Sequence, residues 1–228
     1  IAFTYGLSQL LLSVRVGAAE TQIGPLWKQI WVTIYEGGDG FVIGAVMGIV
    51  CGIALGRNQL LSDVFSIYIK VANSIPRVVL GSIFIVALGL GAASKIALAV
   101  VMVFFVVFAN AFQGVREADK NLIANARILG ASDWQMTRAV VIPSALSWIL
   151  ASLHVSFGFA LVGAIVGEFL GAREGMGLLI ATAQGSFDSN GVFAAMIVIA
   201  VVALIAEWLL TMIEDRLLTW RPETTANE

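Results

Sequence analysis

Charge is what this chain has least of. Asp, Glu, Lys and Arg make up 12% of its 228 residues, about half of what a water-facing domain of this length carries, too few to clothe a soluble surface. The net charge of −2 leaves no basic excess for a phosphate backbone, so nucleic acid is excluded as a partner. A single cysteine, Cys51, inside an apolar run, excludes an internal disulfide framework and a thiolate metal site. A single histidine, His154, excludes an imidazole site in the same way. Gly89-Leu90-Gly91-Ala92-Ala93-Ser94-Lys95 lacks the second glycine of a phosphate loop and joins two apolar runs, not a strand and a helix. No His-Glu-x-x-His, Cys-x-x-Cys or nucleophile elbow occurs. Nothing in this inventory builds a catalytic centre, a metal site or a cofactor site, and the chain reads as a non-enzyme.

What is present is apolar surface: 59% hydrophobic residues and a mean hydropathy of +0.94, which call for lipid as solvent. A helix needs about 20 mostly apolar residues to cross the hydrocarbon core. Six candidate spans follow: Ile1–Val14, Gly40–Gly56, Ile75–Leu90, Lys95–Phe112, Ser147–Leu170 and Val192–Met212. The runs are continuously apolar, which favours helices over the alternating strands of a barrel, and the fold class is an all-α polytopic membrane protein formed as one domain over 1–228. Ile1 lies within an apolar stretch with no basic n-region, which reads as a truncated first span and not a signal peptide. Pro76, after Asn73-Ser74-Ile75, predicts a break or kink. Leu178–Phe187 is too short to span and reads as an interfacial or re-entrant piece.

Lys and Arg mark the side retained in the cytoplasm. Arg57, the loop with Arg116, Lys120, Arg127 and Arg138, and the tail with Arg216 and Arg221 are assigned there. Arg15–Glu36, Gly91–Ser94 and Gly171–Asn190 fall on the opposite side.

The polar stretch Gln113–Pro143 is the most informative part of the chain. Leu122, Ile123, Ala126 and Leu129 fall at helical spacing and end at Gly130, a residue that takes the left-handed conformation closing a helix. Ser132 or Asp133 caps a second short helix with Trp134, Met136, Ala139 and Val140 before Pro143.

This stretch resembles the permease subunits of ABC importers that work with a periplasmic binding protein. Their motif runs Glu-Ala-Ala, three residues, Gly, nine residues, Ile-x-Leu-Pro. It maps onto Ala124-Asn125-Ala126, Gly130 and Val140-Val141-Ile142-Pro143 with its spacing kept, although Ala124 replaces the acidic residue. Ile75-Pro76-Arg77-Val78 through Gly89-Leu90-Gly91, Gly114-Val115-Arg116, and Gly167-Glu168-Phe169-Leu170-Gly171 with Gly175-Met176-Gly177 are similar to the nitrate, sulfonate and taurine group, while Ser82 stands where many members have proline. The resemblance implies a type I importer permease in the bacterial inner membrane, with a cytoplasmic coupling loop over 113–146. It also implies two ATPase subunits carrying ATP and Mg, a second permease chain (identical or paralogous), a periplasmic or lipid-anchored solute-binding protein, and a small solute moved by alternating access, either an anion of the sulfonate, nitrate or taurine kind or an aromatic carboxylate or vitamin precursor. Ala124, Ala126, Leu129, Gly130, Ala131, Trp134, Met136 and Pro143 form the expected ATPase-docking loop. With no acid at 124, apolar contact led by Leu129, Trp134 and Met136 replaces an ion pair.

Two further patterns bear on the pathway. Gly40, Gly44, Gly48, Gly52 and Gly56 recur every fourth residue and lay a smooth groove along one helix face, for a neighbour in this chain or in a second permease. Gly158, Gly163, Gly167 and Gly171 lay a second. Polar residues inside spans are functional candidates, here Asn73, Ser74, Arg77, Ser152 and Ser156 as pathway residues. His154 reads as a hydrogen-bonded packing residue, and Glu168 and Glu207 as span-end groups with interfacial partners. Arg77 either meets the solute or snorkels toward headgroups. An ion-coupled secondary transporter or channel, the rival class, predicts paired buried carboxyls or an inverted repeat, and the sequence displays neither.

Overall fold

The structure, a computed structural model, describes residues 26–57, 64, 71, 75–118 and 120–217. The candidate span Ile1–Val14 and the pathway candidates Asn73 and Ser74 lie outside them. Helix α1 is Leu26–Arg57. A 3₁₀ turn, Arg77–Val79, leads into α2, Leu80–Leu88. Then come α3, Ala92–Arg116, α4, Lys120–Ile128, and α5, Asp133–Met136. A π turn, Thr137–Val141, passes the chain into α6, Ile142–Leu170, followed by α7, Met176–Gly185, and α8, Ser189–Leu217. Among the described residues four stretches are long and apolar enough to cross a membrane: Leu26–Arg57, Ala92–Arg116, Asp133–Leu170 and Ser189–Met212.

Glycine decides how the first three long helices pack. A Cβ on Gly40 would overlap Ala99 of α3, one on Gly44 would meet the Val100 carbonyl at 2.8 Å, and one on Gly52 the Phe108 carbonyl at 2.9 Å. Gly48 and Gly56 sit as tightly on Val107 and Val115. The whole row therefore serves intrachain packing on α3. Lipid supplies no hydrophobic drive between helices, so close backbone approach supplies the attraction instead. From the other side Gly163 of α6 comes within 2.7 Å, at its would-be Cβ, of the Ala99 Cα, and Gly167 presses on the Lys95 stem. Gly171 meets Leu90 and Ile85 instead, and Gly158 touches nothing within 4 Å, so only part of the second row packs on α3. Helix α3 is thus clasped between α1 and α6, with Leu98, Ala99, Val103 and Val107 fully buried.

Two expectations need correcting. The stretch to Glu36 is not a loop, because α1 starts at Leu26, well before Gly40. Gln29, Thr33 and Glu36 occupy the same helical face as Gly40 and Gly44 and are buried with it. Their polarity reads as solvent-facing in sequence, yet Gln29 Oε1 and Thr33 Oγ1 are bonded inside the protein, while Gln29 Nε2 and Glu36 Oε2 are buried without a hydrogen-bond partner among the described residues. The opposite face carries exposed Trp27, Trp31 and Tyr35, a one-sided aromatic ladder of the kind that anchors helices at the membrane–water interface. Nor does the loop helix end before Pro143: from Asp133 to Leu170 the chain is one uninterrupted helical rod of 38 residues. Proline lacks an N–H and its ring crowds the carbonyl four residues back. The wider π turn just before it absorbs both effects.

At Pro76 the expected break is present: the residue is extended, at φ −64° and ψ 96°, and helix resumes only after it. The segment Arg77–Leu88 is short, and Gly89, at φ +81°, turns the chain into α3.

Candidate functional site

Helix α4 closes in the manner its sequence predicts. The Gly130 N–H donates to the Arg127 carbonyl at 3.1 Å and the Ala131 N–H to the Ala126 carbonyl at 3.0 Å. This is the paired-bond helix ending that needs a left-handed residue, and Gly130 has φ +82°. Two residues on, Ser132 caps α5 in a reciprocal box: the Gln135 N–H donates to Ser132 Oγ at 3.3 Å, and the Ser132 N–H donates to Gln135 Oε1 at 2.9 Å. Thr137 Oγ1 ties back to the Asp133 carbonyl at 2.6 Å. Local bonds therefore shape the corner between α4 and α5, and Arg57 of α1 reaches it with a 3.5 Å bond to the Asp133 carbonyl.

The corner has an inner and an outer face. Met136 and Thr137 turn inward, as does Val141, which packs with Ala111, Val115, Ala145 and Ile149. Gly114 permits this, since a Cβ there would strike Trp148 and Ala145 at 2.9 to 3.0 Å. Leu129 is 87% exposed and Ile128 83% exposed, with Trp134 and Leu122 also open. Met136 is therefore not an outward contact: the inward twist of the corner brings it to the core, and Ile128 takes its place on the open face. The helical spacing of α4 selected Leu122, Ile123, Ala126 and Leu129, a row that passes over Ile128. Ala124 is exposed, Ala126 and Ala131 are half-buried, and Pro143 is exposed on the rod.

At the opposite end of the rod lies a site the sequence signalled only as a glycine-flanked Glu168. The start of α7 presents N–H groups that have no partner within the helix, and three of them are met by side chains from elsewhere. Gly175 N–H donates to Gln29 Oε1 at 2.5 Å, Met176 N–H to Thr33 Oγ1 at 2.9 Å, and Gly177 N–H to Glu168 Oε2 at 2.7 Å. Thr33 Oγ1 in turn donates to Glu168 Oε1 at 2.7 Å. Gln29, Thr33 and Glu168 are all buried. Gly175 has φ +116° and sits against the Glu168 carboxyl, and Gly177 sits against the Ile165 carbonyl, so neither place admits a side chain. Lys28 and Glu174 pair at 2.6 Å beside this joint. Lys95 Nζ donates to the Leu90 and Gly91 carbonyls at 2.6 and 3.1 Å, and so fastens the α2–α3 turn beside it.

Glu168 does stand near a span end, but it is buried and its partners are Thr33 and Gly177, not interfacial groups. The Glu36 carboxyl also lies against it, so two buried carboxyls do meet here. They come from residues 132 positions apart, beyond any sequence window. The pair belongs to a packed joint, and it no longer separates a secondary transporter from an importer.

The remaining candidates are placed as follows. Ser152 and Ser156 are buried, and their hydroxyls donate to the carbonyls of Ile149 and Ser152 of their own helix. Burial and that local bonding place both hydroxyls in the packing of α6. His154 stands 3.4 Å from Glu207 of α8, joining two spans. The half-buried Arg77 holds its guanidinium 5.1 Å from the centre of the Phe105 ring, a cation–π distance.

The comparisons agree with this architecture. The family model described as "binding-protein-dependent transport system inner membrane component" matches residues 44–219. The aliphatic sulfonates transport permease protein SsuC of Bacillus subtilis (strain 168) is 32% identical over 198 residues, covering 87% of this chain and 72% of the relative. The taurine transport system permease protein TauC of Escherichia coli (strain K12) is 27% identical over 198 residues, with the same two coverages, 87% and 72%. Among solved structures, an inward-facing form of the MetNI methionine ABC transporter aligns with a TM-score of 0.63 at 21% identity, over 84% of this chain and 92% of that one. An amino acid ABC transporter aligns at 0.61 and 21% identity, over 81% and 90%. The chain therefore belongs to the binding-protein-dependent transport system inner membrane components, as a multi-pass ABC importer permease of the bacterial inner membrane with the type I fold.

Proposed function

We propose that the Gly130 corner is the docking element for the importer's ATPase, and that two permease chains, each seated on one ATPase subunit, enclose a pathway that alternates its access as ATP binds and is hydrolysed. The observation that carries this reading is the open set of Ile128, Leu129 and Trp134 on a corner shaped by its own hydrogen bonds. An apolar patch in a water-facing loop is costly unless a partner covers it, and a pre-set corner binds without ordering cost. ATP and Mg belong to that partner. The positive charge of Arg57, Arg116, Arg127 and Arg138 supports the cytoplasmic assignment of this end, which leaves the Gly175 end facing a solute-binding protein.

The names of two relatives support one solute class. Names such as aliphatic sulfonates and taurine transport support a small organic anion, and the charge of Arg77, beside the Pro76 break, supports it as a contact for that anion. The test is uptake in proteoliposomes holding the permease, its ATPase and its binding protein, with radiolabelled taurine as probe. Wild type is expected to accumulate it in an ATP-dependent way, and Arg77→Gln to slow uptake at least fivefold with Arg77→Lys falling between. ATP-independent accumulation would overturn the importer reading, and equal uptake by Arg77→Gln would remove Arg77 from the pathway.

A further inference from the structure

The helical rod Asp133–Leu170 carries a different fixture at each end. One end begins with α5 of the docking corner. The other carries Glu168, whose two carboxyl oxygens hold Gly177 of α7 and Thr33 of α1. At about 1.5 Å per residue, 38 residues make a rod roughly 57 Å long, enough to reach through the hydrocarbon core and beyond it.

Helix α7 packs on α6 and α8, and among the described residues the side-chain hydrogen bonds that tie it to α1 and α6 all fall at its start. Its ten residues are too few to cross a membrane. Its far end, Gln184 to Ser189, is exposed, and Phe187 there takes the left-handed place at φ +57° with its ring 93% exposed. At its near end three consecutive N–H groups are bound by side chains of α1 and α6. Those bonds are shielded from water, so no solvent molecule competes for them. Glycine at 175 and 177 removes the side chains that would hold α7 off. Two consequences follow. The start of α7 cannot shift without breaking bonds that have no replacement partner. A displacement of the rod must carry that start with it.

We infer that Glu168 is a positioning residue for transport: its carboxyl fixes the start of α7 to the rod that also bears the docking corner, so movement at either end is delivered to the other. This rests on the reading of the Gly130 corner as the ATPase dock. The roles divide along the rod, with Ile128, Leu129 and Trp134 making the partner contact and Glu168 transmitting it. Helix α7 and the exposed Phe187 tip are what the transmitted motion displaces.

A label on the tip reads this out without knowledge of the solute. In a Cys51→Ser background, Phe187→Cys carries a fluorophore, and the permease–ATPase complex is placed in nanodiscs. Iodide quenching is measured without nucleotide and after trapping with Mg-ATP and vanadate. The parent complex should change its quenching constant at least twofold on trapping. Glu168→Gln places an amide donor or a weaker acceptor against Gly177 or Thr33, and it should keep ATPase association and basal hydrolysis while losing at least three quarters of that change. Thr33→Ser keeps the hydroxyl and should keep the response, whereas Thr33→Val should lose it. No change in the parent, or the same change in Glu168→Gln, overturns the inference. Where Glu168→Gln fails to assemble, Thr33→Val decides it, a response equal to the parent's being the contrary result. A failure of the docking reading looks different, because Leu129 and Trp134 variants would then retain the ATPase.

Discussion

Glu168 accepts the Gly177 N–H at 2.7 Å across the turn that joins α6 to α7. The bond exists because position 177 has no side chain: a Cβ there would stand 2.7 Å from the Glu168 Cβ and nearer still to the Ile165 carbonyl. Gly177→Ala must push α7 away from α6. Overpacking of this kind costs about 1 to 3 kcal/mol, or a fall of several degrees in Tm for a chain of this size. Gly185→Ala, where nothing lies within 4 Å, should melt within about a degree of wild type. Thermal unfolding of the two detergent-solubilised variants checks both.

The clasp on α3 gives a second contrast. Gly163→Val would drive a branched side chain into the Ala99 backbone, and helix separation should lower folded yield and cost about 3 kcal/mol or more. Gly158→Ala faces open space on the same helix and should be silent. Chromatographic monodispersity and Tm of the pair measure the difference. Equal behaviour would mean that α6 does not approach α3 this closely.

At the Gly130 corner, backbone and surface effects separate. A Cβ on Gly130 meets nothing within 4 Å, yet its φ is +82°, so any loss there is conformational. Gly130→Val should cost about 1 to 2 kcal/mol of corner geometry, reducing ATPase affinity about tenfold. Gly130→Asn, which tolerates the left-handed region, should lose less. Binding of the purified ATPase to each variant in nanodiscs ranks them, and an equal loss for the two would point to the surface instead.

The inward turn of Met136 makes a prediction opposite in kind to its neighbours. Met136→Ala empties a packed position and should destabilise the chain by about 2 to 5 kcal/mol. ATPase affinity, measured on the folded fraction, should move less than with Trp134→Ala.

How much of this was legible in sequence depended on how far apart the partners lie. The Gly130 ending and the Ser132 cap are closed by bonds three to five residues long, and residue types alone announced them. The glycine row was equally plain in its period of four, but its partner, α3, had to come from the structure. The start of α1 was hidden because Gln29, Thr33 and Glu36 look like solvent-facing residues. Only their register with Gly40 and Gly44, at spacings of three and four, could have told that one face continues. The Glu168 joint was beyond reach in a stronger sense. Thr33 is 135 positions away, and a carboxyl flanked by glycines reads the same whether it caps a neighbouring helix or meets headgroups. Ile128 was passed over because helical spacing picks out Leu122, Ile123, Ala126 and Leu129 and skips it, although Ile128 is as open as Leu129.

The account stands or falls on what covers the open face of the Gly130 corner. The direct measurement is retention of the ATPase on affinity-purified permease carrying Ile128→Asp, Leu129→Asp and Trp134→Asp together, beside wild type, at low and at high salt. Wild type is predicted to hold its ATPase at both, because apolar contact replaces the ion pair that Ala124 cannot make. The triple variant is predicted to fold and melt like wild type, since all three residues are exposed, and to lose the ATPase. A triple variant that keeps the ATPase, or a wild-type complex that falls apart in high salt, would contradict the account.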